Sequence, residues 1–413
     1  MKQKIKTTIQ DKKVPLIVML FFILIYGNQG LSCLPSQCIY YLTRETWKLS
    51  ATMIGLIGFV AMFAWYIKPL FGIMIDCFPI KQYRAKYYLW INYLFLILAG
   101  LYIIMFGFNL VSLIITMFLI NIAIGWNDVA NDSVMVKLER EHNLKGRIQA
   151  VQWISLGIAG LIVSLGGAWI AKTFPEPLNY KIAYGVWLLL PIATLFYLKF
   201  GYTENKVTEK KNIKQLKENF AQLKNQSFLI GILFLMFLRF SPSFGTALMI
   251  KMRETMGIDK MFLGYMGATG TILGLVGYAI YYWKGYRIKM KKLLYFTVIF
   301  SALTNLCYLY IPNKWVIFGY NIAFGTFDGV CFLAILAFMA KIVPVGAEGL
   351  FYAVVTAINN FSGKLGGVVG CMVYDKYGYN VNVIVASVTT LLCILFIPLL
   401  QFKGQIKDKQ EAI

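Results

Sequence analysis

Apolar segments of about 20 residues recur twelve times along this chain, near 15–41, 51–75, 87–107, 109–137, 148–172, 182–201, 227–250, 260–283, 292–311, 315–341, 349–374 and 381–402. A helix of that length spans the roughly 30 Å hydrocarbon core of a bilayer. Soluble domains carry roughly a quarter charged residues. Here 14% of the 413 residues are charged, 59% are hydrophobic and the mean hydropathy is +0.66. A soluble protein of that composition lacks the polar surface to cover itself. The expected class is an all-α membrane protein of about twelve helices. The first segment follows a basic stretch, Met1–Lys13, as a secretory signal does. Its length and polar residues, with no convincing small-residue cleavage site, read instead as a first span.

The net charge is +22, from 40 Lys+Arg against 18 Asp+Glu. The positives cluster in short segments between apolar runs. They read as topology signals and contacts to anionic membrane lipid, not as a nucleic-acid surface. With the N-terminus inside, about 28 Lys+Arg fall on the inner side and about nine outside. The expectation is both termini cytoplasmic, in a plasma or inner membrane. The longest inner connection is 202–226. There Ile213, Leu216, Phe220 and Leu223 follow helical spacing and Lys214, Lys217 and Lys224 face elsewhere, as in an amphipathic surface helix. Seven cysteines show no metal-ligand spacing, and the lone His142 sits in a charged segment read as a loop. No metal and no cofactor are expected.

An internal repeat divides the chain. Residues 121–128 read NIAIGWND and 321–328 read NIAFGTFD, which sets Asn121 on Asn321, Gly125 on Gly325 and Asp128 on Asp328 at an offset of 200. A weaker echo at 203 sets Ala150 on Ala353, Gly160 on Gly363 and Gly167 on Gly370. Two six-helix pseudo-repeats, 1–201 and 227–413, joined by an inner linker, give the layout of the major facilitator fold. In that layout spans 1, 4, 7 and 10 surround a central cavity.

Ionisable groups inside a span are costly and therefore candidates for function. Asn121, Gly125, Asp128 and Asp132 form one stripe on span 4, repeated on span 10 as Asn321, Gly325 and Asp328 before Phe332 breaks it. Span 7 carries Arg239 beside Ser241, Pro242 and Ser243. Span 11 carries Asn359, Asn360 and Lys364. These residues suit a binding cavity, and they equally suit ion pairs that hold the bundle, Arg239 with Asp128 or Asp328. Asp128 and Asp132 stand one turn apart, which makes them, and Asp132 first, the candidates for carrying a coupling proton. Gly72, Asp76, Arg84 and Lys86 lie at the inner end of span 2 and read as a gate: close packing at the glycine and a breakable carboxylate–cation network.

Six segments, in order, resemble the folate–biopterin transporter family of the major facilitator superfamily. They are KPLFGIMIDCFPIKQYRAKYYL at 68–89, NDVANDSVMVKLERE at 127–141, IQAVQWISLGIAG at 148–160, FLRFSPSFGTALM at 237–249, MGIDKMFLGYMG at 256–267 and VPVGAEGLFYAVVTAINNFSGKLGG at 343–367. The chain departs from that pattern at Val129-Ala130-Asn131, Arg239 and Lys364. The resemblance implies a proton-coupled symporter of folates or pterins. A pterin's amino group and ring N–H suit a carboxylate, here Asp128, Asp132 or Asp328. A folate tail suits Arg239 and Lys364, Asn121 and Asn321 add polar contacts, and Trp126 and Phe240 offer ring faces.

No phosphate-binding loop and no HExxH or GxSxG segment appears, so cis ATP-driven transport and hydrolysis are not expected, and the chain reads as no enzyme. Competing readings are a carrier of another anionic metabolite, such as a nucleoside-like cofactor, and a non-transporting receptor of the same fold. The chain is expected to act as a monomer.

Overall fold

A computed structural model describes residues 16–142, 147–204, 206, 226–343 and 348–400. Apart from one isolated bridge, Ile80 to Tyr83, the regular structure of the described residues is helical. Span 1 is Leu16–Leu31 and Ser36–Tyr41, ending in a π turn at Leu42–Thr46. Span 2 is Ala51–Ala61, Phe63–Tyr66 and Lys68–Cys77. Spans 3 to 6 are Lys86–Phe106, Leu110–His142, Arg147–Thr173 and Leu178–Phe200. Span 7 is Gln226–Phe240 and Gly245–Ile250, ending in a π turn at Lys251–Thr255. Spans 8 to 12 are Lys260–Trp283, Met290–Cys307, Lys314–Ile342, Glu348–Tyr377 and Tyr379–Leu392, the last with a 3₁₀ turn at Cys393–Leu399.

Nine of these units are long and apolar enough to cross a membrane. The broken span 2, the lysine-led Met290–Cys307 and the polar-studded Glu348–Tyr377 complete the twelve. The expected twelve spans are therefore present, with three differences. Stretches 15–41, 51–75 and 227–250 are interrupted, not continuous. His142 ends the long helix of span 4 and does not lie in a loop. The amphipathic helix expected within 202–226 falls almost wholly outside the described residues.

The interruptions have local causes. Pro35 precedes Ser36–Tyr41, and its carbonyl accepts from Ile39 N at 2.9 Å. Pro69 lies in the first turn of Lys68–Cys77, where its missing N–H costs nothing. In span 7 the break at Ser241–Phe244 follows Pro242. Ser243 N donates to Gly366 O of span 11 at 3.2 Å, and Ser241 Oγ donates to Ala386 O of span 12 at 2.9 Å. The two serines thus tie span 7 to its neighbours.

Spans 1 and 5, 3 and 6, 7 and 11, 8 and 10, and 9 and 12 pack in pairs, and spans 2 with 11 and 5 with 8 join the two sets. One apolar cluster draws on residues 21–202 and another on 228–400. Spans 7 and 11 meet most closely at Gly370, where a Cβ would overlap the Ser243 carbonyl. Gly72 was expected to permit close packing, but a Cβ there would meet only Val129 Cγ1 at 3.8 Å, an ordinary contact. Gly370→Ala should therefore lower the thermal midpoint of the detergent-solubilised protein, at a cost of about 1–3 kcal/mol. Gly72→Ala should leave it unchanged or raise it slightly. A thermal-shift measurement on both variants checks the pair.

Candidate functional site

The polar stripe of span 4 faces spans 1 and 2. Trp65 Nε1 donates to Asn121 Oδ1 at 3.1 Å, and Asn121 Nδ2 returns to Met117 O at 2.9 Å. One turn further, Lys68 pairs with Asp128 Oδ2. The Lys68 ammonium also lies 4.8 Å from the centre of the Trp65 ring. Tyr26 of span 1 donates to Asp132 Oδ1 at 2.8 Å. Tyr352 of span 11 lies close enough to feel the charges of Lys68 and Asp132. A continuous charged line therefore runs from span 2 through span 4 to span 1. Lys68 and Asp128 expose only 12% and 6% of their side chains, so each charge depends on the other for its solvation. Sequence reasoning missed this pairing. It gave Lys68 no role and offered Asp128 to Arg239.

The second half repeats the frame without the ion pair. Gly125 rests on Ala64 of span 2, and Gly325 rests on Leu273 of span 8, an offset of 209 between the supporting residues. The same offset carries Lys68 to Gly277. There spans 8 and 10 press together, and a Cβ on Gly277 would overlap the Thr326 carbonyl. Among the described residues Asp328 has no ion-pair partner. Asn321 lies against Gly270, with its Oδ1 buried and unpartnered.

Arg239 and Lys364 stand together instead. The Arg239 guanidinium passes over Gly363, the residue before Lys364, where a Cβ would sit 3.3 Å from Nη2. Cys33, in the break of span 1, lies near Lys364. Both cations are exposed. Among the described residues neither has a carboxylate partner. The expected pair of Arg239 with Asp128 or Asp328 is not present, since Lys68 occupies Asp128. Trp126 offers no free ring face, because Phe71 and Tyr88 stack on it at 4.8 and 5.2 Å. Phe240 makes no ring contact among the described residues and is exposed.

At the end of span 2, Arg84 Nε lies 3.9 Å from Asp76 Oδ1. Lys86 turns elsewhere, its Nζ donating to Tyr202 O at 3.4 Å. The residue that sequence reasoning missed here is Glu204. Its carboxylate accepts the N–H groups of Arg84, Ala85 and Lys86 at 2.8 to 3.2 Å, an anion on the N-terminus of span 3. A cavity of about 260 Å³ lies between spans 1 and 7, lined by Ser36, Gln37, Tyr40, Gly245, Thr246 and Met249. Among the described residues no cluster of three His, Cys, Asp or Glu side chains is placed to hold a metal ion.

Residues 29–412 match the model of the BT1 family. Among curated proteins, a folate-biopterin transporter of Synechocystis is 23% identical over 94% of this chain and 82% of its own length. Folate transporter 1 of Plasmodium falciparum is 22% identical over 93% and 79%. A probable folate-biopterin transporter 4 of Arabidopsis thaliana is 22% identical over 86% and 88%. Among solved structures, the nucleoside transporter NupG superposes with a TM-score of 0.70 at 16% identity, covering 94% of this chain and 99% of its own. A D-xylose-proton symporter gives 0.69 at 13%, covering 92% and 97%. The fold is that of major facilitator transporters, and the chain is a multi-pass integral membrane protein.

Removing one partner of a buried pair leaves the other charge stranded, at about 3–5 kcal/mol. Lys68→Met alone should lower the thermal midpoint of the purified protein sharply. Adding Asp128→Asn should recover most of the loss. If the double variant melts no higher than the single one, the two charges are not solvating each other.

Proposed function

The chain belongs to the BT1 family, a family of membrane transporters and not of enzymes, and on that premise we propose that it carries a folate or a pterin across a membrane by alternating access, with protons as the coupling ion. The observation that supports the reading is Arg239 on span 7 and Lys364 on span 11, two exposed cations with no carboxylate partner among the described residues. A folate tail presents carboxylates, which complement them, and a guanidinium binds a carboxylate bidentately. Asp132 lies on the same path, opposite in charge, and suits the amino group and ring N–H of a pterin. Asn321 Oδ1, buried and unpartnered, is a further acceptor for a bound ring. Asn121 is already engaged by Trp65 and Met117, which leaves it a supporting role.

Asp128 is neutralised by Lys68, so the coupling proton falls to Asp132, with Asp328 a further span carboxylate that has no ion-pair partner among the described residues. In this reading residues 1–201 and 227–413 move as two halves about the contacts of spans 2 with 11 and 5 with 8. Both termini lie on the cytoplasmic side, with the Asp76–Arg84 pair as an inner gate, and the protein acts as a monomer.

Two uptake measurements in proteoliposomes test this. Arg239→Lys keeps the charge and loses the fork. It should cost about 1.5–3 kcal/mol of tail recognition, about ten- to a hundredfold in folate uptake, and leave a pterin without the glutamate tail little affected. Equal loss for both substrates would remove the tail-anchoring role. Asp132→Asn should abolish accumulation driven by an imposed pH gradient while substrate exchange at equal pH continues. Unchanged accumulation would rule out Asp132 as the proton carrier.

A further inference from the structure

Residues 42–50, LTRETWKLS, and 251–259, KMRETMGID, share Arg-Glu-Thr at an offset of 209. They end spans 1 and 7 at the same end of the bundle, and they fold alike. Both form π turns. Trp47 N donates to Leu42 O at 2.9 Å and Met256 N to Lys251 O at 3.0 Å. Leu49 N donates to Thr43 O at 3.0 Å and Ile258 N to Met252 O at 2.9 Å. Each arginine first donates to a carbonyl of its own turn: Arg44 Nη1 to Leu49 O at 2.8 Å, and Arg253 Nη1 to Ile258 O at 2.6 Å.

Each arginine then crosses to the glutamate of the other turn. Arg44 grips Glu254 with two nitrogens, Nη2 to Oε2 at 3.0 Å. Arg253 grips Glu45 Oε1 from Nε at 2.9 Å and from Nη2 at 2.8 Å. Other charged groups at this junction include Lys260, 4.0 Å from Glu45 Oε2, the exposed pair Lys172–Asp259 at 3.1 Å, Lys48 beside Glu254, and Glu176, whose Oε2 accepts from Thr46 Oγ1 at 2.7 Å. Asp375 of span 11 also accepts from Ala51 N and Thr52 N of span 2.

We propose that the two Arg-Glu-Thr turns form a pseudo-twofold clasp that shuts this mouth of the transport path, and that breaking its two crossed ion pairs is what opens the mouth. The proposal rests on the alternating-access reading above. Three features carry it. The pairs join the first half to the second, so the halves cannot separate here while they persist. Their side chains expose between 17% and 43% of their surface, which keeps the pairs breakable. The bonds to Leu49 O and Ile258 O lie within each half, so opening leaves each guanidinium held in place for re-closure, with less freedom to lose. The clasp also bears directly on the cavity. Its turns continue Ser36–Tyr41 and Gly245–Ile250, and the cavity's lining residues form pairs at the same offset of 209: Ser36 with Gly245, Gln37 with Thr246, Tyr40 with Met249. A solute there touches both sides of the junction.

The test reads distance, not transport. Spin labels at Lys48→Cys and Thr255→Cys, with Cys33 and Cys307 replaced by serine, report the width of the mouth in full-length protein in lipid nanodiscs. Glu45→Gln with Glu254→Gln should enlarge the wide population about tenfold, the effect of losing charge-assisted hydrogen bonds. Exchanging one pair, Arg44→Glu with Glu254→Arg, should keep the mouth narrow, whereas Arg44→Glu alone should widen it. A short, reducible thiol cross-linker joining Glu45→Cys to Arg253→Cys should stop uptake until it is cleaved. An unchanged distance distribution in the neutralised variant, no return in the exchanged one, or uptake through the cross-linked protein would each overturn the clasp. If the distances shift as stated but neither folate nor pterin is carried, the clasp stands and the substrate reading falls.

Discussion

In hydrocarbon an unpartnered backbone N–H or C=O costs several kcal/mol, and that constraint decides where the helices of this bundle are allowed to break. The interruptions in spans 1 and 7 fall where other groups can take up the loose backbone. Ser243 N finds Gly366 O, and the turn at 32–35 closes on itself through Leu34 N to Leu31 O. These are the places where the chain can present side chains at unusual angles. Cys33 and Gln37 flank one break, and Arg239 flanks the other. The polar character of the path is therefore tied to the same few residues that make the path's walls irregular.

The two halves share a frame and divide the chemistry. Gly125 on Ala64 and Gly325 on Leu273 are the same crossing built twice. Around the first crossing stand Trp65, Lys68, Asp128, Asp132 and Tyr26, one cation paired with one of two carboxylates. Around the second stands Asp328, with no ion-pair partner among the described residues, and two cations of that half, Arg239 and Lys364, sit elsewhere with no carboxylate partner among the described residues. With a surplus carboxylate in the first half and two cations against one carboxylate in the second, the second side is the more electropositive, and an anionic group gains most there.

The span count, the repeat at 200 and the family were legible in the sequence because hydropathy over 20 residues and short polar identities survive without knowing any contact. The pairing of Lys68 with Asp128 was not legible, since it depends on the rotational register between two helices. Trp126 looked available for a ligand for the same reason: only packing reveals Phe71 and Tyr88 on its faces. The Arg-Glu-Thr repeat escaped because its offset is 209, nine more than that of the span 4 motif, and three polar residues at a span's end look like any loop. Glu204 escaped because a capping carboxylate far along the chain leaves no periodic trace.

Gly277 occupies the position that Lys68 holds in the first half, and its missing side chain lets spans 8 and 10 close on each other. A lysine placed there would force the helix axes apart before any charge could be satisfied. The glycine thus holds the asymmetry in place: the close approach that it allows leaves no room for a second buried cation, and the two halves are not interchangeable parts.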